Sequence, residues 1–240
     1  MLSFRLENLL LIDIETVPQA AGFEELTEEW KMLWQEKVYR SLPENTTAAA
    51  FYPQRAGVMA EFAKVICISI GYFKKEIDNL QLRLKSFYGD DEKKLLTDFL
   101  GTVKQMESGQ SNWSFTGHNI KEFDIPFICR RLLVNGLIIP PCLDFQQMKP
   151  WETNIIDTFQ YWRFGDYKQY TSMKLLAAVL NVPSPKDDID GSMVADVYYK
   201  EKDLSRIVTY CQKDVVTTGN IILRFKNLPL IDGENVIING

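Results

Sequence analysis

The chain of 240 residues has a single histidine, His118, so a mechanism that needs a histidine in the C-terminal third has none to use. Cysteine is also sparse: Cys67, Cys129, Cys142 and Cys211 are scattered, with no C-x-x-C pair. That spacing argues against a zinc site and reads as reduced thiols of a cytosolic protein. No apolar run approaches the ~18 residues of a membrane span. The N-terminus lacks the basic region, apolar run and small-residue cleavage site of a signal peptide. The expectation is a cytoplasmic protein with no membrane attachment. Positive charge is in deficit as well, with 27 Lys and Arg against 32 Asp and Glu and a net charge of -5. Such a balance excludes a general nucleic-acid coat held by salt-driven contacts. It leaves room for an enzyme that touches its polymer locally and lets go.

What is present is an ordinary globular composition, 46% apolar and 25% charged. The length suffices for one large α/β domain or two small ones. The most informative stretch is Leu9-Leu10-Leu11-Ile12-Asp13-Ile14-Glu15-Thr16. A short apolar run bounded by polar residues and Pro18 reads as a buried strand. Side chains alternate faces on a strand, so Asp13 and Glu15 point the same way. Two carboxylates side by side at the end of an apolar strand repel each other and resist desolvation. A shared divalent cation removes both penalties, and oxygen ligands suit Mg²⁺ or Mn²⁺. The alternative at this point is a strand end reaching solvent with both acids hydrated.

After the first strand, residues 24 to 40 place Leu26, Trp30, Leu33, Trp34 and Val38 at helical spacings, whereas 41 to 60 read as irregular. Residues 18 to 63 are therefore taken as an insertion that packs as an appendage, forms a lid or walls the substrate. Lys64 to Phe73 and Leu80 to Tyr88 are two strands, with Ile77-Asp78-Asn79 suited to a hairpin turn. Asp90-Asp91 caps a helix through about Met106. Trp113 to Gly117 is a strand, a helix from Ile125 ends near Asn135-Gly136, and Asn154 to Thr158 is a further strand. The last third is helical: Ser172 to Leu180, a helix containing Val194, Val197 and Tyr198, and a long helix from its Asp203 cap to about Phe225. This order suggests a mixed sheet with helices on its faces.

Two later stretches carry acids. Gly117-His118-Asn119-Ile120-Lys121-Glu122-Phe123-Asp124 is a strand end running into a helix start, where Asp124 alone reads as an N-cap. Tyr210-Cys211-Gln212-Lys213-Asp214 lies in the final helix, with Tyr210 and Asp214 on one face. Alone, it reads as a surface pair. Together with Asp13-Ile14-Glu15, the stretches Asn119 with Phe123-Asp124 and Tyr210-x-x-x-Asp214 resemble the three motifs of the DEDD superfamily of 3′–5′ exonucleases. The tyrosine marks the DEDDy branch, since the histidine position of the other branch is Thr209 here. The flanks, including Ile189-Asp190-Gly191-Ser192, are similar to the exonuclease domain of family B DNA polymerases and its stand-alone bacterial relatives. The likeness runs from Leu9 to about Phe225 and is weakest over 18 to 63.

The resemblance implies a single α/β exonuclease domain over 1–240. Its ribonuclease-H-like mixed central sheet would be flanked by helices, with the first strand central. It implies two divalent metal ions, Mg²⁺ or Mn²⁺, held by Asp13, Glu15, Asp124 and Asp214, with Tyr210 placing the attacking water. Its pKa near 10 makes a tyrosine a poor base at neutral pH. The substrate implied is single-stranded nucleic acid, DNA more than RNA, with a free 3′ end, cut to 5′-mononucleotides. Asn119, Phe123 and Thr16 are the substrate-binding candidates. Tyr161-Trp162-Arg163-Phe164 are stacking candidates, and Arg130-Arg131 and Lys168 are candidates for phosphate. His118 is expected to be structural. Any replication or repair partner stays unspecified. Two other readings stand beside this one. The first is a nucleic-acid-binding module of the same fold with weak catalysis. The second is a haloacid-dehalogenase-like phosphatase, because Asp13-Ile14-Glu15-Thr16 superficially matches its D-x-D-x-T loop. Glutamate stands at the third position, however, and no downstream Asp-Asp pair stands in the required strand context: Asp187-Asp188 sits in a Pro-rich loop.

Overall fold

The structure is a computed structural model that describes residues 4–77, 79–109, 113–146, 148–149, 152–183 and 189–239. Asp78 of the expected hairpin turn and the Asp187-Asp188 pair lie outside the described residues. Six strands form one sheet in the order β5-β4-β1-β2-β3-β6. They are β1 (Leu9–Pro18), β2 (Ala63–Lys75), β3 (Leu80–Tyr88), β4 (Ser114–Gly117), β5 (Ile155–Asp157) and β6 (Val236–Asn239). The β1–β2 and β2–β3 pairs are antiparallel, while β1–β4, β4–β5 and β3–β6 are parallel. This is a ribonuclease-H-like mixed α/β sheet flanked by helices. β1 is central, and its first half suits that place: a strand flanked on both edges and covered on both faces is apolar, as Leu9 to Ile12 are.

The alternation of β1 divides the core in two. Leu10, Ile12 and Ile14 face α3 (Glu92–Gly109) and α4 (Asp124–Val134), and pack with Leu96, Phe99, Phe127 and Ile128. Leu9 and Leu11 face α8 (Leu204–Phe225), and pack with Phe73, Leu82, Val215 and Ile222. Asp13 and Glu15 continue the second row. The long helix α8 starts at its Asp203 N-cap, whose carboxylate accepts from Arg206 N at 3.1 Å. It lies close on the sheet because two positions lack side chains. A Cβ on Gly71 would stand 2.8 Å from Val215 Cγ1, and one on Gly219 3.1 Å from Leu11 Cδ1. Helices α5 (Thr158–Arg163), α6 (Met173–Val179) and the short α7 (Val194–Asp196) complete the set, with α7 running on as a π turn over Val197–Glu201.

Between β1 and β2, α1 (Glu28–Val38) and α2 (Ala48–Arg55) close a small aromatic core of their own. In it Trp34 meets Tyr52 and Phe62 edge to face, each with ring centroids 5.1 Å apart. Residues 41 to 60 are thus not all irregular as expected. The alanine run starts a helix at its Thr47 cap, and Pro53 falls inside it. Two short elements also escaped the sequence reading: α5, only six residues long, and β6, a four-residue edge strand far from its partner β3 in sequence.

Candidate active site

β4 ends at Gly117, and its last partner on β1 among the paired residues is Leu11 with Thr116. Beyond that point the β1 edge facing β4 has no ladder to join. Asp124 fills the gap: its Oδ1 accepts from the backbone N–H of Ile14 at 3.2 Å. The carboxylate does not cap its own helix, whose N-cap is Phe123 with no side-chain cap bond. The expected N-cap role is therefore replaced by a bond to the strand bearing Asp13 and Glu15. On the other edge of β1, the register with β2 shifts between Glu15 and Thr16, turning the strand end immediately after the acidic pair.

Asp13, Glu15, Asp124 and Asp214 come together at this end of the sheet. Asp13 and Glu15 protonate well above the usual carboxylate range, first because they are buried and next because Asp214 lies beside them. Burial also pushes Asp124 up to about 7, with Asp157 and Asp214 adding to the rise and backbone N–H groups opposing it. Tyr210 hydrogen-bonds to Asp214, one helical turn on. Its hydroxyl is held far above the usual phenol range, by burial first and then by Asp214, Glu15 and Asp13. A phenol so placed keeps its proton and offers it as a hydrogen bond.

One residue in the cluster was not expected. The Cys211 thiol donates to Asp13, at 3.3 Å to Oδ2 and 3.4 Å to the backbone oxygen. Ligand atoms of Asp13, Glu15 and Cys211 lie within 4.8 Å of one another. Cysteine spacing gave no hint of this, since the thiol reaches Asp13 only through the docking of α8. The donor set tests well against a divalent cation: crowded carboxylates that hold protons for want of a counter-charge are what a hard cation neutralises.

The remaining candidates divide. Asn119 sits at φ 63° with its side-chain oxygen buried and unpartnered. Phe123 is half-buried and packs on Phe127 with centroids 5.3 Å apart. The Thr16 hydroxyl is engaged, donating to Gly57 O at 2.6 Å. Trp162 packs with Leu176 and Ile221 rather than standing free for a base, whereas Phe164, Tyr167 and Tyr170 are exposed. Arg131 is buried against Glu92 and cannot meet a phosphate, which corrects one expectation, while Arg130 is exposed. His118 is structural in its contacts: Nδ1 meets the Thr158 hydroxyl at 3.0 Å and Nε2 meets Thr171 O at 2.9 Å. Burial holds its pKa below the ordinary imidazole value.

Comparisons with known proteins agree with this fold. The family B DNA polymerase from the hyperthermophilic archaeon Pyrobaculum calidifontis superposes with a TM-score of 0.56 at 15% sequence identity. The alignment covers 91% of this chain and 24% of the polymerase, so the likeness is one of fold and spans about a quarter of that protein. No curated protein matches the sequence. Among the described residues no helix is long and apolar enough to cross a membrane. Residues 58–231 match the family described as "Predicted 3'-5' exonuclease related to the exonuclease domain of PolB". The match includes Asp124, Tyr210 and Asp214 but begins after Asp13 and Glu15, which are joined to it by the strand pairing and the Asp124–Ile14 bond. On that match the chain belongs to the family of predicted 3′–5′ exonucleases related to the exonuclease domain of PolB.

Proposed function

We propose that the protein is a metal-dependent exonuclease that removes 5′-mononucleotides from the 3′ end of single-stranded DNA, with RNA as the second substrate. The observation that carries this reading is the convergence of Asp13, Glu15, Asp124 and Asp214 into one crowded site, where burial and mutual repulsion raise the pKa of Asp13, Glu15 and Asp124, in a chain of this family. Two divalent cations, Mg²⁺ or Mn²⁺, held by these four acids would activate a water and stabilise the leaving 3′-oxygen. Asp13, touched by all the others electrostatically, would be shared between the two ions, and Asp124 would serve the second. Tyr210 donates its hydroxyl proton toward the Asp214 side of the site and so orients the attacking water. Asn119 offers a buried, unpaired acceptor oxygen to a hydroxyl or amino group of the terminal nucleotide. Phe123 gives that nucleotide an apolar wall. With its hydroxyl engaged by Gly57, Thr16 contributes backbone and methyl contacts only.

In this reading residues 1–240 act as one exonuclease domain, with the α1–α2 insertion as a wall beside the site and the protein working in the cytoplasm. Neither the binding module nor the phosphatase has a feature of the site in its favour. The test is incubation with 5′-labelled and 3′-labelled single-stranded DNA and RNA in Mn²⁺, Mg²⁺ or EDTA. Stepwise shortening from the 3′ end that stops in EDTA is the expected result. Internal cuts, release of only a terminal 5′-phosphate, or undiminished activity in EDTA would overturn it.

A further inference from the structure

A fifth buried carboxylate stands next to the site and has no part in the mechanism above. Asp157 closes β5 opposite Gly117 of β4 and is 5% exposed. Its Oδ1 accepts from Asn119 N at 3.0 Å, and from Phe159 N and Gln160 N at 3.0 and 3.3 Å. Its Oδ2 accepts from Lys121 N at 3.0 Å. Two of these bonds are a helix cap for α5. The other two reach across to a separate segment, the turn that carries Asn119 and leads to Asp124.

That turn is one the chain does not adopt freely. A Cβ on Gly117 would lie 2.1 Å from Ile120 Cγ2, and Asn119 is left-handed at φ 63°. A non-glycine residue held there costs free energy that the surroundings must offset. The Asn119 carbonyl accepts from Glu122 N at 3.2 Å and Phe123 N at 3.0 Å, so its orientation sets the start of α4. The same conformation leaves the Asn119 side-chain oxygen buried and unpaired. Buried acceptors in folded proteins are almost always bonded, and one held open calls for a partner from outside.

We infer that Asp157 is a positioning residue for the reaction: by gripping the N–H groups of Asn119 and Lys121 it aims the open Asn119 amide at the terminal nucleotide. This inference rests on the exonuclease reading for the identity of the ligand. Asp157→Asn keeps the size of the side chain and one capping oxygen for α5, but turns an NH₂ group against Lys121 N–H. Asp157→Ser keeps a capping hydroxyl and removes the reach to the turn, and serves if the first variant does not fold.

The experiment is a double-mutant cycle with Asn119→Ala. It is read as anisotropy of a 5′-fluorescein oligothymidylate in Ca²⁺ and as KM and kcat in Mn²⁺. Each single variant should weaken binding and raise KM by about tenfold, and the double variant should be no worse than the poorer single, because both remove the same contact. Asp232→Ala, which removes the cap of the turn before the edge strand β6, should leave both constants unchanged. Losses that multiply in the double variant, or full affinity in Asp157→Asn, would overturn the inference. Wild-type protein that binds the oligonucleotide but never shortens it sinks the exonuclease reading and leaves the cycle intact. Wild-type protein that does neither overturns both.

Discussion

Two clusters built around buried carboxylates are oppositely arranged in this molecule. Glu92, at the start of α3, is 8% exposed, as is Glu15; Asp124 is 4% exposed. The Glu92 carboxylate is saturated within the chain: Oε1 accepts from Val65 N at 2.7 Å and Arg131 Nε at 2.9 Å, and Oε2 from Arg131 Nη2 at 2.6 Å and Asn135 Nδ2 at 2.8 Å. Arg131 in turn donates to Ala60 O at 2.8 Å, joining the α1–α2 insertion to β2, α3 and α4. Asp13, by contrast, receives a weak thiol donor and otherwise faces other acids. In the first cluster the fold supplies its own counter-charge, and the result is structure. In the second it leaves the charge for a cation to complete, and the result is a site.

The sharpest way to break that comparison is Asp13→Ala. If the cup is built for cations, the variant loses turnover by at least about 1000-fold, roughly 4 kcal/mol of barrier. Its metal-free form should be as stable as wild type or more so, because removing one of several crowded carboxylates relieves repulsion. Melting in EDTA beside turnover in Mn²⁺ checks both halves. A large loss of metal-free stability would make Asp13 a structural residue like Glu92.

Arg131→Ala should behave in the opposite sense. It leaves Glu92 buried without its ion pair, at about 3–5 kcal/mol. For a chain of this size, that lowers the melting temperature by roughly 10 °C. Glu92→Leu combined with Arg131→Met should recover most of the loss, since replacing both charges removes the unpaired one. A thermal melt in which Arg131→Ala matches wild type would show that the ion pair contributes nothing to the fold.

The two clusters were not equally legible. Asp13 and Glu15 could be read from sequence because strand alternation is local and an apolar run ending in i, i+2 acids is rare without a reason. Asp203 and Asp91 could be read as caps for the same local cause. Their carboxylates accept from Arg206 N and Lys94 N, each three residues on. The Glu92–Arg131 pair could not be read, and Arg131 was taken instead as a phosphate candidate, since nothing local tells α3 that α4 will lay an arginine across it 39 residues later. Asp157 and Cys211 were hidden in the same way. One acts through bonds to a turn almost 40 residues earlier, and the other through the docking of a helix onto β1 from 198 residues away. The short α5 and the edge strand β6 were missed because a few residues carry too little periodicity to register.

The acidity of the cup gives a third test. Asp124 is near 3.8 in the unfolded chain and about 7 in the metal-free fold. Below about pH 4 both states hold the proton, so nothing is lost. As pH rises from 4 to 7 the unfolded chain releases it while the fold retains it, so metal-free stability falls across that window and levels off above it. Asp13 and Glu15 are raised in the same direction and steepen the fall. Mn²⁺ should reverse the trend, because it competes with those protons and binds better as pH rises. Denaturant titrations in EDTA and in Mn²⁺ at pH 5, 6, 7 and 8 measure both slopes. A metal-free stability that stays flat over this range would mean the acids find counter-charge in the chain, as Glu92 does.

Tyr210→Phe makes the smallest change and separates orientation from metal binding. The ring stays, so its packing beside Val17 and Ile207 should hold and the melting temperature should not move. Only the hydroxyl bonded to Asp214 is lost. Asp13, Glu15, Asp124 and Asp214 remain, so Mn²⁺ affinity by calorimetry should be unchanged. Turnover at saturating Mn²⁺ should drop by about 10- to 100-fold, or ~1.4–2.7 kcal/mol, the range expected when a reactant is less well placed. Asp214→Asn is the contrast: it removes a ligand and should weaken Mn²⁺ binding as well as slow the reaction. Wild-type turnover in Tyr210→Phe would make the tyrosine a packing residue. Weakened Mn²⁺ binding in the same variant would instead put its hydroxyl among the groups that hold Asp214 ready for the ion. Because turnover and Mn²⁺ affinity are separate readouts, both outcomes can be told apart from the same two measurements.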